Sequence, residues 1–265
     1  MKNILKLALV LALALGFAAC SAKDEKKDDM IIKVGATPVP HAEILEVVKT
    51  LLAKDGYTLE IVEFTDYVTP NIAVEEGELD ANFFQHVPYM SEFNKNKNTN
   101  LVKTVNVHIE PMGVYSRSIK DLKDLKDGDS IAVPNDPTNE SRALIILQNE
   151  GLITLNDDAL KTAHSIINNP LNLQIKELDA PQLPRVLDEV AAAVINTNYA
   201  LIANLNPLKD AIAIEGKDSP YANIVAIKKG NENSLKIKAL NKAINTDEVK
   251  NFIREKYKGA ILEAF

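Results

Sequence analysis

Cysteine is nearly missing from this chain: Cys20 is the only one among 265 residues. No intramolecular disulfide can form, so the fold rests on core burial rather than on crosslinks. Tryptophan is absent, and no two of the ten glycines lie closer than 14 residues. That spacing excludes G-x-G-x-x-G nucleotide loops and the Walker phosphate loop. No G-x-S-x-G elbow is present either. The four histidines, His41, His86, His108 and His164, have neither H-x-x-H nor H-E-x-x-H spacing, which removes the local signatures of a zinc hydrolase. Beyond residue 20 there is no run of 18 apolar residues, so that part offers no candidate membrane-spanning helix. Positive charge is in deficit, with 30 Lys and Arg against 37 Asp and Glu. An acidic balance argues against nucleic acid as a partner, because that affinity is dominated by basic contacts to phosphate.

What the chain does have begins at its N-terminus. Lys2 and Lys6 supply a short basic start, Ile4 to Phe17 form a mostly apolar stretch, and the small residues Ala18-Ala19 lead directly into Cys20. This is the charged, apolar, small-residue layout of an export signal. A cysteine directly after the small pair resembles the lipobox of bacterial lipoproteins, so residues 1–20 read as a lipoprotein signal peptide with Cys20 as the lipidated residue. Phe17 departs from the Leu or Val usual at its position. Removing these residues takes two lysines and leaves 28 basic against 37 acidic residues, or −9. Residues 21–30 are small and charged and read as a flexible tether. The body is then expected outside the cytoplasmic membrane, anchored in a lipid bilayer.

Strand and helix signals alternate through that body. Strands are predicted over 31–35, 58–64, 81–84, 105–115, 130–133, 173–178, 191–195, 211–214 and 224–227. Helices are predicted over 41–54, 69–76 with Thr69-Pro70 as its start, 137–150 with Asp136 as N-cap, 234–244, and 246–258 capped by Thr246. The βαβα order predicts an α/β fold with helices on both sheet faces. Two lobes are expected: 31–113 with 216–265, and 114–215. Gly113 and Gly216 lie near the two crossings, where simple turn glycines are an equal reading.

Three constellations carry candidate chemistry. In Val133-Pro134-Asn135-Asp136-Pro137-Thr138-Asn139-Glu140-Ser141-Arg142, Asn139 and Arg142 share a helix face three residues apart. An arginine this early gains nothing from the helix dipole. A guanidinium beside free backbone N–H groups does make a carboxylate site, although a surface arginine paired with an acid fits the sequence equally. The second constellation is aromatic. Phe64, Tyr67, Phe83, Phe84, His86, Tyr89 and Phe93 fall within 30 residues beside Asn82 and Gln85. Stacked rings suit an apolar or thioether side chain, while plain core packing is the bland reading for any single ring. The third is Ile195-Asn196-Thr197-Asn198-Tyr199, a strand running into a polar turn. Asparagines there offer carbonyl oxygens to an ammonium group and amides to a carboxylate.

Six stretches, in this order, carry a resemblance: VGATPVPHAEILE, TDYVTPNIAVEEGELDANFFQHVPYM, VHIEPMGVYS, IAVPNDPTNESRALIILQNEGL, LDAPQLPRVLDEVAAAVINTNYA and SPYANIVAIKKG. Over about 31–265 the chain resembles the NlpA family of bacterial lipoproteins, methionine-binding subunits of ABC importers. The resemblance implies a two-lobed periplasmic-binding-protein fold, type II-like, with the ligand cleft between the lobes. It implies Arg142 on the ligand carboxylate, with Asn139, Asn196 and Asn223 sharing its polar backbone groups. Tyr67, Phe84, His86 and Tyr89 would line the side-chain pocket. The expected ligand is L- or D-methionine, a related amino acid or a methionyl peptide, and the expected partners are the permease and ATPase subunits. Glu140-Ser141 and Thr197 depart from the family's pattern, and both are expected near the ligand. No enzymatic step, cofactor or resident metal is expected. A metal-ion-binding importer lipoprotein and an adhesive or structural surface lipoprotein stand as alternatives.

Overall fold

The computed structural model describes residues 30–216 and 219–265. The expected signal peptide, the expected lipidation at Cys20 and the expected tether up to residue 29 lie outside the described residues. Among those described, no helix is long and apolar enough to cross a membrane.

The chain opens with β1 (Ile31–Ala36), whose Ile32, Val34 and Ala36 are wholly buried. It continues into α1 (Glu43–Lys54), which buries Ile44, Leu45, Val48 and Leu52 on one stripe. Burying a side chain of that size contributes about 1.5–3 kcal/mol, so this stripe fixes the helix to the sheet. After β2 (Thr58–Glu63), α2 (Thr69–Glu76) ends at Gly77, whose φ of 82° suits a residue without Cβ. The start of α2 differs from the expected one. Thr69 is inside the helix, and Asp66 Oδ1 accepts from the backbone N–H groups of Val68 and Thr69, each at 2.7 Å. Next come β3 (Ala81–His86), α3 (Val87–Lys97) and β4 (Leu101–Ile109).

The single strand expected over 105–115 is two strands. β4 stops at Ile109, and β5 (Gly113–Tyr115) belongs to a different sheet. Pro111, which has no N–H to give to a ladder, sits in the break. The chain then runs through β6 (Ser130–Pro134), α4 (Pro137–Asn149), a hairpin of β7 (Thr154–Leu155) with β8 (Ile166–Asn168), β9 (Gln174–Leu178) and β10 (Ala192–Ile195). A short helix, α5 (Thr197–Ile202), follows where only a turn was expected. The last elements are β11 (Ala211–Ile214), β12 (Ala222–Lys228), α6 (Leu235–Ile244), α7 (Asp247–Tyr257) and β13 (Leu262–Glu263).

Two sheets result. One has the order β13-β4-β12-β3-β1-β2 and the other β11-β5-β10-β6-β9. β1 runs parallel to β2 and β3, whereas β12 is antiparallel to β3 and β4. Helices cover each sheet over its own apolar core. This is a mixed α/β, two-lobed architecture, and the chain passes between the sheets twice, over 110–112 and 215–221. A Cβ on Gly113 would meet the Tyr115 ring at 2.8 Å, so that glycine makes room for a ring. Gly216 has open space around it and no such requirement.

Candidate functional site

The register of three strands sets out the floor of the site. In β12, Asn223 pairs with His86 of β3 on one side and with His108 of β4 on the other. The opposite wall comes from the second lobe. Asp136 caps α4 by accepting from the Asn139 backbone N–H at 3.0 Å, which orients the first turns of that helix. Asn196 closes β10 and opens α5.

All eight residues expected at a ligand line one cavity: Tyr67, Phe84, His86, Tyr89, Asn139, Arg142, Asn196 and Asn223. Four others do so: Gln85 and Asn198, which belong to the sequence constellations, Thr197, which was expected near the ligand, and Glu110, which was not singled out. Asn198 was legible as the second asparagine of the turn. Glu110 was hidden in a stretch that reads as continuous strand.

The aromatic constellation divides by strand alternation. Tyr67 stacks with Phe84 at 5.7 Å between centroids and meets Tyr89 edge-on at 5.8 Å. Phe83, one residue from Phe84, faces the other way into the first lobe's core. Phe64 packs with Leu79 and Ala73 in a separate cluster, and Phe93 stands behind Tyr89. Asn82 is fully buried in a network with Asn71 and Gln85.

Arg142 is 4% exposed and tied to both crossings. Its Nε donates to Glu215 Oε1 at 2.7 Å, its Nη2 donates to the other Glu215 oxygen and to the backbone carbonyl of Glu110 at 2.6 Å, and its plane lies 4.5 Å from the Tyr221 ring. Glu215 supplies the negative partner that the helix dipole does not. Among the described residues, Nη1 has no protein acceptor.

Asn139 is a connector. Its Nδ2 donates to both Asp136 oxygens at 3.0 Å, and its Oδ1 accepts from Asn196 Nδ2 at 3.0 Å and His86 Nε2 at 3.3 Å. Two atoms in the wall are left without partners: the Asn196 carbonyl oxygen and the Asn198 amide nitrogen. Orphaned buried polar atoms are unfavourable unless something else satisfies them. One is an acceptor and the other a donor.

Glu140 and Ser141 do not line the cavity, contrary to expectation. Glu140 Oε1 accepts from Ala163 N at 2.9 Å and Ser141 Oγ from Lys161 N at 2.9 Å, so both face the 156–165 loop. Thr197 does line it, with its hydroxyl donating to the Pro111 carbonyl.

Two of the four histidines come together. His41 and His108 converge on Glu110, with Nε2 atoms 3.2 and 2.8 Å from its Oε1. The three groups could in principle hold a metal ion. However, His108 Nδ1 is buried without a partner, whereas a metal-ligating histidine nearly always donates its second nitrogen. Burial lowers the His41 pKa to about 4 and those of His86 and His108 to about 3. The rings are therefore neutral at pH 7, and the Thr37 hydroxyl at 2.6 Å from His41 Nδ1 leaves the proton of His41 on Nε2. Burial also pushes the Glu110 carboxyl upward, opposed by His41 and Arg142.

This geometry presents stacked rings on one side and unmet donors and acceptors on the other, with no activated nucleophile. It can bind a small molecule with an apolar tail and a polar head. A family model described as NlpA lipoprotein matches residues 32–265. The chain is 46% identical to Outer membrane lipoprotein 3 of Mannheimia haemolytica, covering 99% of this chain and 100% of that one. It is 42% identical to the Probable D-methionine-binding lipoprotein MetQ of Vibrio cholerae, covering 100% of both. A nutrient-binding protein from Burkholderia cenocepacia, solved bound to methionine, superimposes with a TM-score of 0.86 at 48% identity, covering 88% of this chain and 100% of that one.

Proposed function

The chain belongs to the NlpA lipoprotein family, and from that premise we propose that it captures methionine between its lobes and delivers it to the permease of an ABC importer. The observation that carries this is the cavity itself. It joins the Tyr67–Phe84–Tyr89 rings to a polar wall whose Asn196 and Asn198 atoms lack partners. The rings suit a thioether, since sulfur–aromatic contact adds about 0.3–1.5 kcal/mol to plain burial. Arg142, through Nη1, takes the ligand carboxylate together with the Asn198 amide. Asn223 adds a second amide, and Asn139 holds Asn196 and His86 in place rather than touching the ligand.

The lobes run over 31–109 with 222–265, and over 113–214, so Gly113 belongs to the second lobe rather than the first, and they rotate about the two crossings. Closure removes water, and the falling local dielectric strengthens each charged contact. Occupancy is signalled because the ligand favours the closed arrangement. Cys20 carries the lipid that holds the body outside the cytoplasmic membrane, near permease and ATPase subunits. The site performs no chemical step on its cargo.

Calorimetric titration of protein freed of retained cargo, using both enantiomers of methionine and the other amino acids, tests this reading. Saturable one-to-one binding of methionine in preference to alanine and leucine is expected. Binding of no amino acid in either enantiomer overturns it and favours an adhesive or structural role.

A further inference from the structure

Strand β3 carries one residue more than the ladder beside it needs. Against β12, His86 and Gln85 pair with Asn223 and Ile224, and Phe83 and Asn82 pair with Val225 and Ala226, so Phe84 is skipped. The parallel ladder with β1 also stops at Phe83. Phe84 is thus the extra residue of a β-bulge, a device that re-aims a side chain. In an unbroken strand residues 82 and 85 point to opposite faces. Here they meet, with Gln85 Nε2 donating to Asn82 Oδ1 at 2.9 Å. Asn71 of α2 completes the group. Its Oδ1 accepts from Gln85 Nε2 at 2.6 Å and from Asn82 Nδ2 at 2.8 Å, and its Nδ2 donates to Gln85 Oε1 at 3.0 Å. Asn82 Nδ2 also donates to the Pro70 carbonyl at 3.1 Å. All three residues are buried, and each of their side-chain oxygens and nitrogens has a partner. A satisfied buried amide network specifies one arrangement, whereas a partly satisfied one is costly.

We propose that Asn71, Asn82 and Gln85 are positioning residues that lock this bulge and so set the spacing of the Tyr67–Phe84 stack, which decides how long a side chain the cavity accepts. Phe84 is placed by the bulge itself. Tyr67 is placed by the chain that enters α2, three residues before Pro70. The cluster grips both segments, β3 through Asn82 and Gln85, and the start of α2 through Asn71 and the Pro70 carbonyl. The two ring centroids are held 5.7 Å apart as a result. Of the three residues only Gln85 lines the cavity, so Asn71 and Asn82 act through the rings and not by touching the ligand. The proposal rests on the methionine reading above and adds to it the origin of its side-chain selectivity.

The test is a double-variant cycle on the full chain, read by calorimetric titration with methionine and with 2-aminobutyrate, whose side chain lacks the sulfur and the terminal methyl. Asn82→Ala is expected to weaken methionine ~5- to 10-fold and 2-aminobutyrate less than ~2-fold. In a Phe84→Ala background the same substitution should change methionine affinity less than ~2-fold, because no ring is left to position. Asn71→Ala should repeat the pattern. Parallel losses of both compounds overturn the proposal, since the cluster is then only a brace of the lobe. An undiminished loss in the Phe84→Ala background overturns it too. Wild type supplies a measurement that needs no variant to fold. In NMR, the side-chain amide protons of the three residues should exchange with solvent at least ~100-fold more slowly than surface amides, with and without methionine. Exchange at the surface rate in the free protein overturns the proposal, because the bulge is then not held. Wild type that binds neither compound overturns the methionine reading and this proposal with it, an outcome distinct from binding whose side-chain preference ignores Asn82.

Discussion

The Arg142 guanidinium answers to Glu215, to the Glu110 carbonyl and to the Tyr221 ring within the chain itself. Its loss therefore has two separable effects. Arg142→Ala leaves the partly buried Glu215 without its cation, which costs about 1–3 kcal/mol of stability, and it removes the carboxylate contact. Calorimetric melting should show the first effect and ligand titration the second. Arg142→Lys should recover part of the melting temperature but little affinity, since a point charge cannot span the Glu215 fork and a ligand together. Equal affinity in Arg142→Lys and wild type would refute this. On the other wall, Phe84→Ala should weaken methionine by about 1–2 kcal/mol, roughly 5- to 30-fold, and alanine far less. Equal losses for the two ligands would argue against a side-chain pocket at Phe84. At this scale the sequence was informative where residue type and chemistry agree, as for Arg142 and the Tyr67–Phe84 pair. It could not reveal that Asn139 spends its amide on Asp136 and its carbonyl on Asn196 and His86. Asp136 is local, but Asn196 and His86 come from the end of β10 and from β3, far from residue 139 in sequence.

Helix α3 shows what local pattern reading passes over. Its N-cap is His86, whose Nδ1 accepts from the Tyr89 backbone N–H at 3.2 Å. Histidine is outside the usual set of capping residues, so only Pro88 in the first turn hinted at a helix start. The opposite case is α7, where Thr246 and the acidic first turn follow the common rules and the helix lies where expected, with Lys258 rather than a glycine taking the left-handed C-cap. The strand read through Val105 to Tyr115 failed because the choice between two sheets is made by tertiary packing, with Pro111 as the sole local hint. The cap can be tested. His86→Ala should cost about 1 kcal/mol in denaturant unfolding, and His86→Asn, which retains an acceptor, should recover most of it. The two variants should also differ from wild type in acid. Burial lowers the His86 pKa from 6.5 to about 3, so below pH 6.5 the unfolded chain takes up a proton that the folded chain refuses. The stability from this neutral ring is full above pH 6.5 and declines as pH falls toward 3. Removing the ring should flatten the dependence between pH 6 and 4 by about 1.4 kcal/mol per pH unit. An unchanged slope would mean that His86 is solvated.

Across the whole molecule the lobes meet through packing of α3 on α4 and of Tyr67 on Tyr199, and among the described residues three side-chain hydrogen bonds join them outside the crossings. Tyr67 donates its hydroxyl to Asn198 Oδ1 at 2.7 Å, Tyr199 donates to the Thr65 carbonyl at 3.0 Å, and His86 reaches Asn139. Each bond links a residue of the first sheet's lobe to one of the second, so each exists only while the lobes are together. The sequence held these residues but not their pairing, because 131 and 134 positions separate the two tyrosine contacts. Both rings also keep their packing when only the hydroxyl is removed. The double variant Tyr67→Phe with Tyr199→Phe therefore isolates the closure term. Two such bonds are worth about 1–3 kcal/mol together, so methionine affinity should fall roughly 5- to 150-fold while unfolding of the free protein changes much less. Small-angle scattering should report a larger radius of gyration for the free variant than for free wild type, and convergence of the two at saturating methionine. An affinity within twofold of wild type, with identical scattering, would show that the tyrosine bonds do not hold the lobes together and that the two crossings alone set the angle between them.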